Sequence, residues 1–397
     1  MADDIHAAIL IPGHKVFGQE RALLGLGEAL RRGGVRVTIL LHSDWGREYL
    51  APLVRERGFS FHFLPMNTIW SPGLLWRKPM NFIRNIVRVV GASRTLSSLL
   101  NEEKFDAVVT GNWTFAAYVL PALKFRDVAF VYRHGDAPPL SNPLVRAIAR
   151  CVFARADFHV VNCDYLEARL RDFYPVDRVS IIRNAAIGIE RCSAPVSGEV
   201  FPRHIVYAGQ LSAHKGVLVL LDAFDIIARA FPEVTLTLAG GHPGVGFDMD
   251  PRIVARLNQA TSDWGHRVKY VGQVDSVPKL FTPDSIHVCP SIWDDPSPNV
   301  ISEAKARQVP TVAFARGGIP EIVRSGIDGE IVSKETPGAL ADALIGLLSS
   351  PEKFAAQRIA AGESLALLPC ADKQADLWVS AIKGAIDVRR NGSTEEE

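Results

Sequence analysis

Along the N-terminal half, short apolar runs alternate with stretches whose apolar positions recur at helical spacing. His6 to Ile11 is a continuous apolar run that predicts a buried strand, and Glu20 to Arg32 has the period of an amphipathic helix, closed by Gly33-Gly34. Arg36 to Leu41, Ala107 to Thr110, Val128 to Tyr132 and Phe158 to Asn162 continue the strand series. The pattern restarts after residue 200. His204 to Ala208 predicts a strand and Gly216 to Phe231 a helix. Strands follow at Thr235 to Ala239, Val268 to Val271, Ile286 to Cys289, Thr311 to Phe314 and Gly329 to Val332. Strands separated by helices of this length imply parallel βαβ units, so the expected fold class is α/β, with two Rossmann-like doubly wound domains.

A chain of 397 residues exceeds one typical core and suits two domains. The expected division is residues 1–195, residues 199–368 and a further amphipathic helix, 371–390, marked by Leu377, Trp378, Ala381, Ile382, Ala385 and Ile386. The polar, breaker-rich Ala194-Pro195-Val196-Ser197-Gly198 is the expected linker. Open α/β sheets bind ligands at the carboxyl ends of their strands, so the ligand is expected in a central cleft faced by both domains.

Composition narrows the class. Hydrophobic content of 48% with 22% charged residues describes a globular protein. Five cysteines scattered without a CxxC pair give neither a disulfide framework nor a zinc site, and fit a reducing compartment. No apolar run approaches the ~18 residues of a bilayer span, and Ala7 to Ile11 follows Asp3 and Asp4 where a signal peptide would carry basic residues. A cytoplasmic location is therefore expected.

Net charge is +1, yet residues 1–195 carry 25 Lys/Arg against 18 Asp/Glu, while residues 196–397 carry 19 against 25. From Arg57 to Asn101 there are six basic residues and no acidic one. Within that stretch, Trp70 to Lys78 combines Trp70, Trp76, Arg77 and Lys78, a set suited either to a membrane interface or to a flap packed on its own domain. The expected partners are a small anionic substrate and an acceptor, with peripheral contact to the inner face of a membrane; no nucleic acid is expected.

Candidate chemistry concentrates in Pro290 to Ala304. Asp295 and Glu303 are two carboxylates with seven residues between them, starting with a turn-rich loop, Pro296-Ser297-Pro298, that runs into a helix beginning near Asn299 and Val300. Amides at a helix start attract phosphate, and carboxylates accept hydrogen bonds from sugar and ribose hydroxyls. Upstream, Tyr207-Ala208-Gly209-Gln210-Leu211-Ser212-Ala213-His214-Lys215-Gly216 is a strand, a turn and a helix start with Lys215 at its mouth, where an ammonium can neutralise a diphosphate. Gly18 and Glu20 sit in the loop after the first strand, where a glycine lets backbone approach a ligand. That loop spells neither a P-loop nor GxGxxG. His134 closes the strand before a Pro-rich loop and is a candidate proton-sensitive group.

The Asp295–Glu303 segment resembles the acid-x7-acid signature of the family 4 glycosyltransferases, retaining enzymes of the GT-B fold, with Asp in place of the usual first Glu. Lys215-Gly216 resembles the end of the family's G-R-L-x-x-x-K-G, but Gln210 replaces the arginine, so His214 and Arg316 become candidates for the missing charge. Gly317-Gly318 with Glu321 resembles G-G-x-x-E-x-V, and Gly18 with Glu20 resembles G-G-x-E. The resemblance implies a nucleotide-diphosphate sugar as donor substrate, no cofactor and no metal, and a terminal helix returning to the N-terminal domain. It further implies that Asp295 holds the transferred sugar, Glu303 the ribose, the amides after Pro298 (Asn299, Val300) the phosphates, Gly209, Gln210 and Gly272 the nucleotide side, and His134 a place near the sugar. The expected activity is retaining sugar transfer to a hydroxyl acceptor in polysaccharide, lipopolysaccharide or glycolipid biosynthesis. A non-catalytic nucleotide-sugar-binding subunit and a sugar-nucleotide epimerase stand as alternatives.

Overall fold

A computed structural model describes residues 5–12, 18–43, 46–66, 79–139, 142–185, 200–241 and 250–393. The chain forms two compact units: residues 1–184 with 371–397, and residues 185–370. The expected linker, and the flap with Trp70, Trp76, Arg77 and Lys78, lie outside the described residues.

In the first unit the described strands are β1 (His6–Ile11), β2 (Arg36–His42), β3 (Ser60–Leu64), β4 (Ala107–Thr110), β5 (Ala129–His134), β6 (Phe158–Val161) and β7 (Val179–Ile181). They form one parallel sheet in the order β3-β2-β1-β4-β5-β6-β7. Strand alternation sorts its side chains into two layers. Ala7, Ile9 and Ile11 of β1 face a core shared with the helix Gly18–Arg32, whereas Ala8 and Leu10 face a second core with Phe115, Tyr118 and Phe153. The first of these cores is completed by the last helix, Ala371–Ser393, through Ala375, Trp378, Val379, Ile382, Ala385 and Ile386. Burying side chains of this size contributes about 1.5–3 kcal/mol each for the large ones, so the returning helix is part of the unit and not an appendage.

Local signals set the helix ends. Asn112 accepts hydrogen bonds from the amides of Thr114 (3.0 Å) and Phe115 (3.2 Å), and Asn142 caps the Pro143–Arg155 helix in the same way. At the other end of the Gly18–Arg32 helix, Gly34 takes the left-handed conformation at φ 82°.

The second unit holds β8 (His204–Ala208), β9 (Thr235–Ala239), β10 (Val268–Tyr270), β11 (Ser285–Cys289), β12 (Thr311–Phe314) and β13 (Gly329–Val332). Among the described residues these make a parallel sheet in the order β10-β9-β8-β11-β12-β13. The order reverses between β8 and β11, as it does between β1 and β4 in the first unit. At such a reversal the connections leave on opposite faces, which opens a crevice at the strands' carboxyl ends.

Candidate functional site

The second unit's reversal point brings two distant segments together. After β8, a short turn of helix, Ala213–Lys215, ends at Gly216, whose φ of 74° suits only glycine; an added Cβ there would lie 1.7 Å from the Pro290 carbonyl oxygen. That close approach docks the β8 loop on the β11 loop. The His214 carbonyl then accepts hydrogen bonds from the amides of Ile292 (2.9 Å) and Trp293 (3.0 Å). Across this seam Lys215 Nζ donates to Asp295 Oδ2 at 2.5 Å, with side chains 26% and 16% exposed. The two residues singled out in the sequence thus meet as one ion pair.

A second glycine fixes the carboxylate from the opposite side. Gly317, at φ 55°, allows backbone contact that a Cβ would prevent, since it would sit 2.4 Å from the Asp295 carbonyl oxygen. The amide of Gly318 donates to that same oxygen at 3.0 Å. Beyond Asp295 the helix Asn299–Ala306 begins at Pro298, whose side chain makes no cap. Glu303 is half-buried one turn along this helix.

Gly209, Gln210 and Gly272 lie on the β8-β9-β10 side. Gly240 approaches Gly209 so closely that its Cβ would fall 1.9 Å from the Gly209 oxygen, and its amide donates to the Gly272 carbonyl at 2.7 Å. Tyr270 Oη donates to the Gly241 carbonyl at 2.9 Å, and Tyr207 Oη to the Gln210 carbonyl at 2.7 Å. Gln210 itself is exposed. The expected substitutes for its missing charge are His214 and Arg316. Burial and the neighbouring Lys215 hold the His214 imidazole below its ordinary pKa. Arg316 is already engaged by Glu335, Nε to Oε1 at 2.7 Å and Nη2 to Oε2 at 2.9 Å.

His134 lies deeper than its place at a strand end suggests. It follows Phe130 and Tyr132 on one face of β5, so its ring enters the aromatic core of the first unit and is 2% exposed. Its Nε2 shares a hydrogen bond with His159 Nδ1 at 3.0 Å, and burial drives its pKa well below the ordinary histidine range. A ring so enclosed packs against Tyr132, Phe153 and His159. Gly18 begins its helix in the same unit, and an added Cβ would meet nothing within 4 Å, so packing alone does not demand a glycine there.

Lys305 escaped the sequence reading. Its ammonium is enclosed with Asp328 (3.0 Å), the Ile322 carbonyl (2.6 Å) and Ser364 Oγ (2.8 Å). The signal was present, because Lys305 stands four residues after buried Ile301 and shares its helix face. This buried pair ties the helix carrying Glu303 to the segment after Gly317-Gly318. Among the described residues no group of three His, Cys, Asp or Glu side chains is placed to hold a metal. No described helix is long and apolar enough to cross a membrane.

Two family models match the chain: "Glycosyl transferase 4-like domain" over residues 17–185 and "Glycosyl transferases group 1" over residues 202–350. Among curated proteins, D-inositol 3-phosphate glycosyltransferase of Mycolicibacterium paratuberculosis is 28% identical over 284 residues, 68% of this chain and 61% of that protein. Spore coat protein SA of Bacillus subtilis is 30% identical over 152 residues, 38% of this chain and 40% of that protein. The chain therefore spans less than two thirds of the length of these relatives. Among solved structures, Anabaena HepE in complex with UDP and glucose has a TM-score of 0.75 at 18% identity, covering 95% of this chain and 99% of that one. That likeness establishes the GT-B fold.

Proposed function

The chain belongs to the family 4 glycosyltransferases, and we propose that it moves a sugar from a nucleoside-diphosphate sugar to a hydroxyl acceptor with retention of anomeric configuration. The observation that carries the reading is the Lys215–Asp295 pair, built across the β8–β11 reversal and held by Gly216 and Gly317. An ammonium has three donors, so Lys215 can keep Asp295 and still donate to a leaving diphosphate. The helix start at Asn299 and Val300 turns a positive dipole end toward the same phosphates. Asp295 accepts from hydroxyls of the transferred sugar, and Glu303 from the ribose. In this reading the sugar–phosphate C–O bond breaks as the acceptor oxygen bonds the same carbon from the same face. The acceptor's proton passes to the departing phosphate. Lys215 and the helix amides supply the positive charge, and no metal takes part.

HepE's ligands, UDP and glucose, make uridine diphosphate sugars the first donors to test. The test is thermal stabilisation by a panel of nucleotide sugars, where a donor at 100-fold its Kd adds ~2.7 kcal/mol, followed by a transfer assay. Sugar appearing on a hydroxyl acceptor supports the reading. Binding without turnover identifies a non-catalytic subunit, and conversion of donor without acceptor identifies an epimerase.

The acceptor proposed is lipid-linked and anionic, met at a membrane surface by the first unit. In support, the helix Pro79–Glu103 turns Val87 (64% exposed), Val90 and Arg94 outward together, a face of apolar and basic groups. Each basic residue near an anionic surface adds ~1 kcal/mol. Cosedimentation with anionic and neutral vesicles checks this, using Val87→Asp/Arg94→Ala as the control. Equal pelleting on both vesicle types points to a soluble acceptor.

A further inference from the structure

Trp293 is out of place for a tryptophan: 52% of it is exposed, although it lies beside the closely docked β8 and β11 loops. Its exposure is not slack. The Trp293 amide donates to the His214 carbonyl at 3.0 Å, and its own carbonyl accepts from the Asp295 amide at 2.8 Å and from Ser291 Oγ at 3.0 Å. Ser291 is buried, so the backbone is clamped on both sides while the indole projects. The ring meets His214 edge to face, with centroids 6.2 Å apart and planes at 69°. His214 follows β8 and Trp293 follows β11, so this aromatic corner stands at the reversal of strand order, where open α/β sheets take their ligands. Lys215 is the next residue after His214, and Asp295 lies two positions beyond Trp293.

We propose that Trp293 is a stacking platform for the sugar ring of the donor, a subsite that rests on the glycosyltransferase reading and adds to it. A pyranose presents C–H groups on one face and hydroxyls around its rim. A fixed π-surface next to a carboxylate matches both, the indole taking the C–H face and Asp295 the rim hydroxyls. A nucleobase would also stack, but it offers no hydroxyl to the adjacent carboxylate. The sugar is therefore the occupant assigned.

The experiment compares calorimetric binding of UDP and UDP-glucose, or the matched ADP or GDP pair if that is the one that binds, to wild type, Trp293→Ala and Trp293→Phe. Trp293→Ala is expected to weaken the nucleotide sugar roughly three- to tenfold while leaving the bare nucleotide within about twofold, with Trp293→Phe recovering most of the loss. Melting temperatures of both variants are expected to match wild type, because the indole is exposed. Equal weakening of nucleotide and nucleotide sugar overturns the assignment in favour of the base or phosphates, and no weakening of either overturns it outright. Failure of wild type to bind any of the pairs removes the glycosyltransferase reading itself, and the platform with it.

Discussion

Among its described residues the second unit holds two lysine–aspartate pairs that differ in everything but their chemistry. Lys215–Asp295 closes at 2.5 Å with side chains 26% and 16% exposed; Lys305–Asp328 closes at 3.0 Å with 3% and 0%. Lys305 spends its three donors on Asp328, Ile322 and Ser364, and Arg324 adds a further contact to Asp328 at 2.8 Å. For Lys215, Asp295 is the one acceptor among the described residues. Solvent access and third partners therefore divide the work. The enclosed pair is a brace for the Asn299–Ala306 helix, whereas the accessible pair is a charge that a ligand can share.

Four experiments press on that division. Lys305→Met is expected to cost about 3–5 kcal/mol of folding stability, because it strands the buried Asp328 carboxylate. Urea denaturation measures it, and a loss under about 1 kcal/mol would mean that Arg324 alone satisfies Asp328. Lys215→Ala is expected to leave the urea midpoint nearly unchanged while removing about 2.7–4 kcal/mol of transition-state stabilisation, read as kcat/KM for transfer. Near-normal turnover there would place the diphosphate elsewhere.

Acidification extends the contrast to histidine. Burial lowers the His159 pKa to about 4, against an ordinary value near 6.5 in the unfolded chain. Between those values the unfolded chain binds more protons, so stability is full above about pH 6.5 and falls as pH drops toward 4, by on the order of 2–3 kcal/mol. His159→Phe, which also frees His134 of its partner, should flatten part of that slope in pH-dependent melting; an unchanged slope would exonerate the pair. Smallest is Glu303→Gln, expected to raise the donor KM severalfold, about 1 kcal/mol, at nearly constant kcat, since ribose contacts are alike in ground and transition states. A collapse of kcat at constant KM would remove Glu303 from the ribose.

Much of this was written in local pattern. The apolar runs located all six described strands of the second unit, and the spacing of Asp295, Glu303 and Lys215 located the segments that β8 and β11 bring together. In the first unit, β3 and β7 were not anticipated. Both are edge strands, half-exposed and short, and Ser60-Phe61-His62-Phe63-Leu64 lacks the uninterrupted apolar run of an interior strand. His134 was assigned to a ligand because it ends a strand, but counting by twos from Phe130 would have sent it inward. For Lys305 the helix face told of burial, but its pairing with Asp328 was illegible. The partners lie on separate elements, and no local pattern states which charges a fold will enclose together.

The last helix carries a consequence for how the protein is made. The sheet of residues 6–181 leaves the ribosome with one face only partly covered, by the Gly18–Arg32 helix, since Trp378, Ile382 and Ile386 belong to that face's core and are synthesised only after the entire second unit. At ~5–20 residues per second, roughly 10–40 s separate Asn184 from Ile386. During that interval Ile9, Leu24 and Val131 have no cover from the helix that will seal their layer. The half of the molecule translated first is thus the half completed last, and nascent-chain chaperones have a defined apolar surface, on a defined clock, to shelter.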